Sequence, residues 1–481
     1  MKIIFNQNLS ASSSKILIYC WYFFLVSMYI QDKEWLPGNA NSNYLLSSLL
    51  VFTLSLGLLI RGKKLRNLRI PFSIDYKILY FFLLICFLSI YLVPFAPRGF
   101  SSIAEYSSLW QIVFMRFFQR VSCFLVIPLI SFFVTDEVSL KKTIFAIAVP
   151  IAFMSLFFAL IEFFRYYTNN IFLEYLYRFF HSPETVADDG SIFFMPYSKL
   201  FDIPRFTLFA REPSLAGLQI IVIWPFLVSV LEDSLQKKKR IIISILLITS
   251  VILLFATWST SAILTFFFQF LVWVWLSLKY KVNRKSILIF GVMLIFALVF
   301  LTPIIVDTLG RAFSLGGEIG ASDGSAIIRL MDNIIGINLF LQHPLFGVGV
   351  GAYTFYYNDN LISSFLFDHY DIFKIVVLLG KRGWAPPTIW TTTLVETGLV
   401  GFMVLCILLW KYLKNMILVF KKIDSFLNFK KYSIAIIVSF LGIVISSFTS
   451  GTQFFWFPVI GFMALFSNFR LINNGSLDKT T

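Results

Sequence analysis

The sequence predicts an all-α, polytopic membrane protein with about twelve transmembrane helices. Hydrophobic residues make up 58% of its 481 residues and charged residues only 14%, and the mean hydropathy is +0.82, which lies outside the range of soluble globular domains. Apolar stretches of about 20 residues, the length that crosses the hydrocarbon core of a bilayer, recur along the whole chain. The predicted spans are 16–30, 44–60, 78–95, 111–134, 143–164, 215–231, 241–256, 262–278, 286–306, 388–410, 433–449 and 453–467.

Basic residues set the expected orientation of these spans. The first span is interpreted as a retained helix and not as a cleaved signal peptide. Lysines and arginines gather in short connections that alternate with connections holding few of them, so the basic connections and both termini are predicted to be cytoplasmic. The basic connections are 61–77, 141–142, 237–240, 279–285 and 411–431. The chain is then one integral-membrane domain with two large loops on the outer side of the membrane, 165–213 and 307–387.

The formal net charge of +15 comes from the lysines and arginines in these basic connections. The membrane topology explains it, so the sequence gives no reason to expect nucleic-acid binding. The four cysteines, Cys20, Cys86, Cys123 and Cys406, lie inside apolar spans without a Cys-x-x-Cys spacing. We therefore expect neither a disulfide framework nor a zinc site.

The first functional candidate is Arg211-Glu212-Pro213-Ser214, at the boundary between the first large loop and an apolar span. A proline favours the first turn of a helix, so a membrane helix is predicted to start here. Its unpaired N–H groups and the charge of Arg211 would form an anion site, and Glu212 could take a proton. The alternative is that Glu212 caps the helix and Arg211 anchors it at the headgroups.

Arg116 and Arg120 are four residues apart in the fourth span and so share one helix face. At 1.5 Å per residue they would lie roughly 7 to 14 Å into the helix, where charged groups usually face a protein interior or a wet cavity. Such a pair suits a pyrophosphate. The alternative, given equal weight, is that both side chains reach outward to the headgroups.

The second large loop is predicted to contain an interfacial helix near 325–342, which begins after Ser322. Arg329, Asp332, Asn333 and Gly336 form a polar stripe on this otherwise apolar segment. The stripe would direct Arg329 toward the protein's own cavity.

Glycines at 347, 349 and 351 follow this helix in a spacing that fits neither a dinucleotide loop nor a P-loop. The favoured interpretation is a turn in which backbone passes close to other backbone or to a ligand. Glu396 lies about 12 Å along the tenth predicted span, where a carboxylate should be paired or face a cavity.

The three histidines, His181, His343 and His369, all fall in the two large loops. This shared location makes them catalytic candidates, although exposed loops are also the usual place for polar residues. No metal and no cofactor are expected.

Three sequence segments, in this order, resemble the O-antigen polymerase and O-antigen ligase family of bacterial surface-polysaccharide enzymes. They are Arg211-Glu212-Pro213-Ser214 before a span, His343 to Gly349 in the large outer loop, and Leu394 to Gly401 in the following helix. The resemblance covers roughly 205–410, and a terminal helix pair with Trp456 is also typical of the family.

The resemblance implies a GT-C-like, multi-helix membrane glycosyltransferase that is inverting and independent of metal. Its donor and acceptor would be oligosaccharides on undecaprenyl pyrophosphate, at the periplasmic face of the inner membrane. A polymerase joins the repeat units of O-antigen or a related polysaccharide, whereas a ligase moves the glycan to the lipid A core. Membrane lipid is an expected partner, and a chain-length regulator is a further candidate.

One departure from the family pattern favours the polymerase. Family members, ligases especially, often have His-Asn eight or nine residues before Glu-x-Gly, where this chain has Pro387 and Thr388.

Fixed cations would stabilise the departing pyrophosphate, and a general base would deprotonate a sugar hydroxyl. The pyrophosphate-binding candidates are Arg211, Arg116, Arg120 and Arg329, and the base candidates are Glu212, then His369 and Glu396. Two other classes stay open. A lipid-linked oligosaccharide flippase would have similar spans but is expected to show repeated halves. The second open class is a glycosyltransferase that uses an acidic motif in its first outer loop, here Asp32-Lys33-Glu34.

Overall fold

The structure of the chain is a computed structural model. It describes residues 19–22, 74–90, 117, 129–130, 134, 137–168, 170–180, 206, 208, 213–234, 236–280, 291, 302, 324–353, 356, 388–422 and 427–447. Within these ranges the chain forms nine α-helices of ten or more residues and no β-strand. They are α1 (Ile74–Ser89), α2 (Glu137–Thr168), α3 (Ile171–Phe180), α4 (Pro213–Asp233), α5 (Lys237–Ala256), α6 (Thr260–Lys279), α7 (Gly324–Gln342), α8 (Ile389–Lys422) and α9 (Leu427–Ser446).

The all-helical, membrane-spanning class is confirmed for the described part of the chain. Five of its helices, α2, α4, α5, α6 and α8, are long and apolar enough to cross a membrane. Each coincides with a predicted span to within several residues at the start, and α2 and α8 extend further than predicted at their ends. The predicted spans 16–30, 44–60, 111–134, 286–306 and 453–467 fall wholly or largely outside the described residues. The total of twelve and the GT-C-like class therefore stay predictions.

Helix α4 is the centre of the larger helix group. It packs against α2, α5, α6 and α9, and every residue from Ala216 to Val230 is buried. Its sequence is apolar on all sides, which is the pattern of a helix surrounded by other helices. Trp224 lies in the middle of this core, with the rings of Phe266 and Trp273 at centroid distances of 5.3 Å and 6.2 Å.

One buried amide joins three helices of this group. Gln269 of α6 is fully buried, and its Nε2 donates to the backbone oxygens of Ile221 in α4 and Val438 in α9, at 3.0 Å and 2.8 Å. Its Oε1 accepts a hydrogen bond from Nε1 of Trp224 at 3.0 Å. Gly442 provides the space for this side chain, because a methyl group there would lie 1.9 Å from Nε2. The amide therefore fixes the register of α4, α6 and α9 in surroundings where polar groups must find partners inside the protein.

Basic residues gather at one end of the bundle, which we call the basic end. Asp233, the last residue of α4, pairs with Lys431 near the start of α9 at 2.5 Å and with Lys141 near the start of α2 at 3.3 Å. Helix α5 starts next to this point with exposed Lys237 to Arg240. The alternating directions of α2, α4 and α5 place the end of α2, the start of α4 and the α5–α6 turn at the opposite end.

Helix α8 belongs to a second group with α1 and α7. It contacts α9 at the end opposite the basic end, where Nε1 of Trp390 donates to Oγ of Ser447 at 2.6 Å. Helix α8 is broken at Gly398, whose φ of 64° and ψ of −169° are not helical. This break is the structural basis of the site described next.

Candidate functional site

The segment 343–353, which follows α7, lies directly on the break in α8. We call it the 343–353 loop. Residues 347–353 are buried, whereas residues 343–346 are exposed. The second and third sequence segments of the family resemblance, far apart in the chain, are therefore one structural unit.

Four backbone hydrogen bonds join the loop to the break. In an unbroken α-helix the N–H groups of residues 399 and 400 would bond to the oxygens of residues 395 and 396. Here they donate to Pro344 O and Leu345 O, at 2.8 Å and 3.3 Å. The oxygens of residues 395 and 396 accept from the N–H groups of Val348 and Gly349, at 2.9 Å and 3.0 Å. The loop thus supplies two acceptors and two donors in place of two helical bonds, as apolar surroundings require.

The glycines allow this close approach of two backbones, as predicted for the glycine-rich segment. A methyl group on Gly347 would lie 2.3 Å from Val395 O, and one on Gly398 would lie 2.3 Å from Leu345 O. Both residues also have positive φ, 70° and 64°, where a side chain adds strain. The close contact between the two backbones therefore explains why positions 347 and 398 are both glycine.

Besides its backbone hydrogen bond to Gly349, Glu396 also binds the buried half of the loop through its side chain. The residue is 5% exposed, and its Oε1 accepts a hydrogen bond from the N–H of Gly351 at 2.9 Å. Between these two contacts, the N–H of Val350 donates to Oγ of Ser89 at the end of α1, at 3.3 Å. Four successive N–H groups, those of residues 348 to 351, are therefore bound to α8 and α1.

The polar stripe of α7 faces the first turn of α8 at the two positions whose side-chain surroundings are described. Oδ1 of Asn333 accepts a hydrogen bond from Oγ1 of Thr391 at 2.7 Å. A methyl group on Gly336 would lie 2.4 Å from Cγ2 of Thr391, so the two helices are in close contact there. Arg329 lies one helical turn before Asn333 in α7. Ile334, Ile337 and Leu341 of α7 are exposed.

Thr388 caps the start of α8. Its Oγ1 accepts a hydrogen bond from the N–H of Thr391 at 3.1 Å, the usual contact of an N-cap residue. This is one of the two positions where family ligases often have His-Asn, and here it has a helix-capping role.

His343 is the one histidine among the described residues. It is exposed at the end of α7, and its ring lies 5.8 Å from that of Tyr356, edge to face. Burial raises the pKa of Tyr356, so this phenol stays protonated at neutral pH. His343 is therefore exposed on the bundle surface and in ring contact with Tyr356.

A second buried carboxylate, which the sequence analysis did not select, lies at the same end of the bundle. Glu162 of α2 is 3% exposed, and its Oε2 accepts a hydrogen bond from the N–H of Leu208 at 3.2 Å. Leu208 is fully buried and has a φ of 54°, an uncommon and strained conformation for a leucine. It lies three residues before Arg211, so the chain is held shortly before the predicted anion site.

Glu162 and Arg165 lie three residues apart in α2, but they do not pair with each other. Arg165 instead pairs with Glu174 of α3, and its guanidinium lies 4.1 Å from the centre of the Tyr177 ring. Side chains three residues apart on a helix can reach each other, but the turn into α3 brings Glu174 to Arg165 in place of Glu162. Arg165 thereby fixes α3 against the end of α2.

The α5–α6 turn packs against the start of α4 at this end. Methyl groups of Ala262 and neighbouring side chains of the turn leave no space at Gly217, where an added Cβ would lie 2.6 Å from Cβ of Ala262. Within the turn, Trp258 is buried with a φ of 52°. The N–H of Phe206 donates to Ala256 O at 3.1 Å, so the chain before α4 is also tied to α5.

The remaining sequence candidates fall outside the described residues: Arg211, Glu212, Arg116, Arg120, His181 and His369. Helix α4 nevertheless begins at Pro213, as the proline predicted. The first segment of the resemblance therefore ends at a helix start, at the same end of the bundle as Glu162 and the 343–353 loop.

The arrangement combines features typical of a substrate site at a membrane surface. A broken helix, a helix start and two strained non-glycine residues occur at one end of the bundle, and discontinuous helices often form binding sites in membrane proteins. The structure fixes the backbone here through buried carboxylates. The exposed groups adjoining it are His343 and the apolar side chains of Leu345 and Phe346.

Comparison with known proteins identifies the family of this region. Residues 245–406 match the family described as O-antigen ligase. This stretch includes the second half of α5, all of α6 and α7, the 343–353 loop and the break at Gly398. This part of the chain is therefore similar to the O-antigen ligase family, in agreement with the resemblance found in the sequence. No curated protein matches the chain in sequence.

Proposed function

We propose that this chain, with its O-antigen ligase family domain at residues 245–406, is a polymerase of O-antigen or a related surface polysaccharide. It would join repeat units carried on undecaprenyl pyrophosphate at the periplasmic face of the bacterial inner membrane. The observation that carries the proposal is the family match, because the matched stretch includes both segments that form the loop and helix-break unit.

The proposed reaction is an inverting glycosyl transfer. A hydroxyl oxygen of the incoming repeat unit attacks the anomeric carbon of the growing chain, a new C–O bond forms, and the bond to the pyrophosphate oxygen breaks. The hydroxyl proton passes to a general base, and undecaprenyl pyrophosphate leaves with the bonding electrons. Charge develops on the leaving pyrophosphate, so fixed cations lower the barrier.

Arg211 and the start of α4 are the first choice for the pyrophosphate site. A helix N-terminus presents unpaired N–H groups and a partial positive charge, and an arginine can bind two phosphate oxygens at once. Arg116, Arg120 and Arg329 are the next candidates. Glu212 is the leading general base, followed by His369; Glu396, the third base candidate of the sequence analysis, is given a different role in the next subsection.

O-antigen ligase is the second candidate function, and the description of the matched family favours it. Pro387 and Thr388 count against it, because a histidine base is missing at the position where ligases often carry one. The two functions differ only in the acceptor, which is a lipid-linked repeat unit for a polymerase and the lipid A core for a ligase.

One reconstitution separates these proposals. The purified protein in detergent would receive lipid-linked repeat units, with or without lipid A core, and products would be resolved on a gel. A ladder of longer lipid-linked glycans without lipid A core supports the polymerase. Glycan found only on lipid A core supports the ligase. If no covalent product forms, and labelled lipid-linked units instead cross the bilayer of proteoliposomes, the protein is a flippase.

A further inference from the structure

We propose that Glu396 is a positioning residue, whose side chain fastens the 343–353 loop to α8, and that it does not take a proton in the reaction. This inference rests on the proposed function only for its activity measurement. Its geometric part depends on described residues alone.

Glu396 holds the loop through two hydrogen bonds, one to its backbone oxygen and one to its side chain. Its backbone oxygen accepts from the N–H of Gly349 at 3.0 Å, and its Oε1 accepts from the N–H of Gly351 at 2.9 Å. Gly349 and Gly351 have φ values of 100° and 82°, so the chain between these contacts follows a path that few residues other than glycine adopt. One residue thereby holds both ends of a left-handed turn.

Burial separates Glu396 from a bulky substrate. A general base must come within about 3 Å of the hydroxyl group that it deprotonates. Glu396 is 5% exposed, and the buried half of the loop, including Val348 and Val350 at 2% and 0% exposure, covers it. A glycan hydroxyl could reach this carboxylate only if the loop left α8, which would break the backbone hydrogen bonds at Gly398 as well.

Fastening the loop also fixes what surrounds it. The exposed half of the loop starts at His343, and the buried half ends at Tyr353, which is 1% exposed. A bond at Gly351 therefore fixes the chain just before Tyr353. Loss of this bond would alter the substrate site through the loop, without removal of a reacting group.

Two substitutions distinguish the roles. Glu396→Gln keeps a side-chain oxygen that can accept from Gly351 but cannot act as a base of comparable strength. Glu396→Leu keeps a similar volume and removes the acceptor. The matched control is Met403→Ala, which changes an exposed side chain of the same helix, seven residues further on.

Hydrogen exchange of peptides covering 343–353, measured on the purified protein in detergent, reports the fastening directly. Glu396→Gln and Met403→Ala should exchange like the wild type, and Glu396→Leu about tenfold faster or more. Elongation of lipid-linked repeat units should follow the same order, with Glu396→Gln close to the wild type and Glu396→Leu strongly reduced.

Three outcomes would overturn the inference. Wild-type exchange in Glu396→Leu would mean that the side chain does not hold the loop. Fast exchange in Glu396→Gln would mean that the hydrogen bond is not what holds it. Normal exchange without product in Glu396→Gln would make Glu396 a catalytic base. If the wild type itself forms no product, the proposed function fails, while the exchange measurements still decide the role of Glu396.

Discussion

Gly347 and Gly398 face each other backbone to backbone: a Cβ on Gly347 would lie 2.7 Å from the nitrogen of Gly398. The contact joins a loop after α7 to the interior of α8. Since both residues have positive φ and neither has space for a methyl group, the pair acts as one contact.

We therefore expect Gly347→Ala and Gly398→Ala each to lower the free energy of unfolding by about 1–3 kcal/mol. Their effects should not add in the double variant, because both break the same contact. Gly291→Ala is the matched control, since a Cβ there would meet nothing within 4 Å. Thermal unfolding in detergent measures the four variants, and equal melting of Gly398→Ala and Gly291→Ala would contradict the prediction.

Gln269→Leu should destabilise the α4, α6 and α9 group by about 1–3 kcal/mol, because it removes the amide that bonds to three partners inside the membrane region. Ser250→Ala provides the comparison, since Ser250 donates only to Leu246 O of its own helix, at 2.7 Å. Melting curves of the two variants in the same detergent test this. A Gln269→Leu protein as stable as Ser250→Ala would show that the amide has no net effect.

Arg165→Met should loosen α3 by roughly 1 kcal/mol, because the arginine contributes both a partly exposed ion pair with Glu174 and a cation–π contact with Tyr177. Faster hydrogen exchange in peptides covering 170–180 is the expected result. Lys142→Met, an exposed change near the other end of α2, should leave those peptides unchanged. An equal increase in hydrogen exchange in both variants would show that Arg165 does not fix α3 against the end of α2.

The orientation of the bundle can be tested by cysteine labelling. In a cysteine-free background, Tyr175→Cys on α3 should react with an impermeant maleimide in cells whose outer membrane has been opened. Lys238→Cys at the basic end should react only after the inner membrane is permeabilised. Both positions are exposed on the folded protein, so accessibility reports the side of the membrane. The reverse pattern would place the basic end outside and would remove the basis for a periplasmic site.

Substitutions at the start of α4 test the proposed chemistry. Arg211→Ala should reduce elongation at least about 100-fold, the scale seen when a group that stabilises transition-state charge is lost. Glu212→Gln should lose about 100-fold or more if Glu212 is the base. Arg211→Lys should also fail, because an ammonium group cannot bind two phosphate oxygens in a fixed geometry. Arg240→Ala, exposed at the basic end, is the control. Normal ladders from either variant would remove that residue from the mechanism.

The sequence predicted those parts of the structure that depend on local pattern. Apolar length located α2, α4, α5, α6 and α8, and Pro213 marked the start of α4. The glycine-rich segment was correctly interpreted as a close backbone contact. Asn333 and Gly336 of the predicted polar stripe face α8, since the stripe has helical periodicity.

Contacts between distant segments could not be predicted from one sequence. Nothing in the local pattern pairs Glu396 with Gly351 or Glu162 with Leu208, because each pair is brought together by the packing of separate helices. The break at Gly398 was also missed. A single glycine is usually tolerated in a helix, and only the loop that replaces the lost hydrogen bonds makes a break favourable at this place.

The break in α8 also constrains how the chain matures. The ribosome makes the 343–353 loop before it makes α8, so the loop can form its hydrogen bonds to α8 only after the later segment has emerged. If α8 enters the bilayer before this pairing, it has two options. Either it forms an unbroken helix, or its backbone N–H and C=O groups at the break stay without hydrogen bonds in the hydrocarbon. The final shape of this end is therefore a late step of assembly, completed only when the two segments meet.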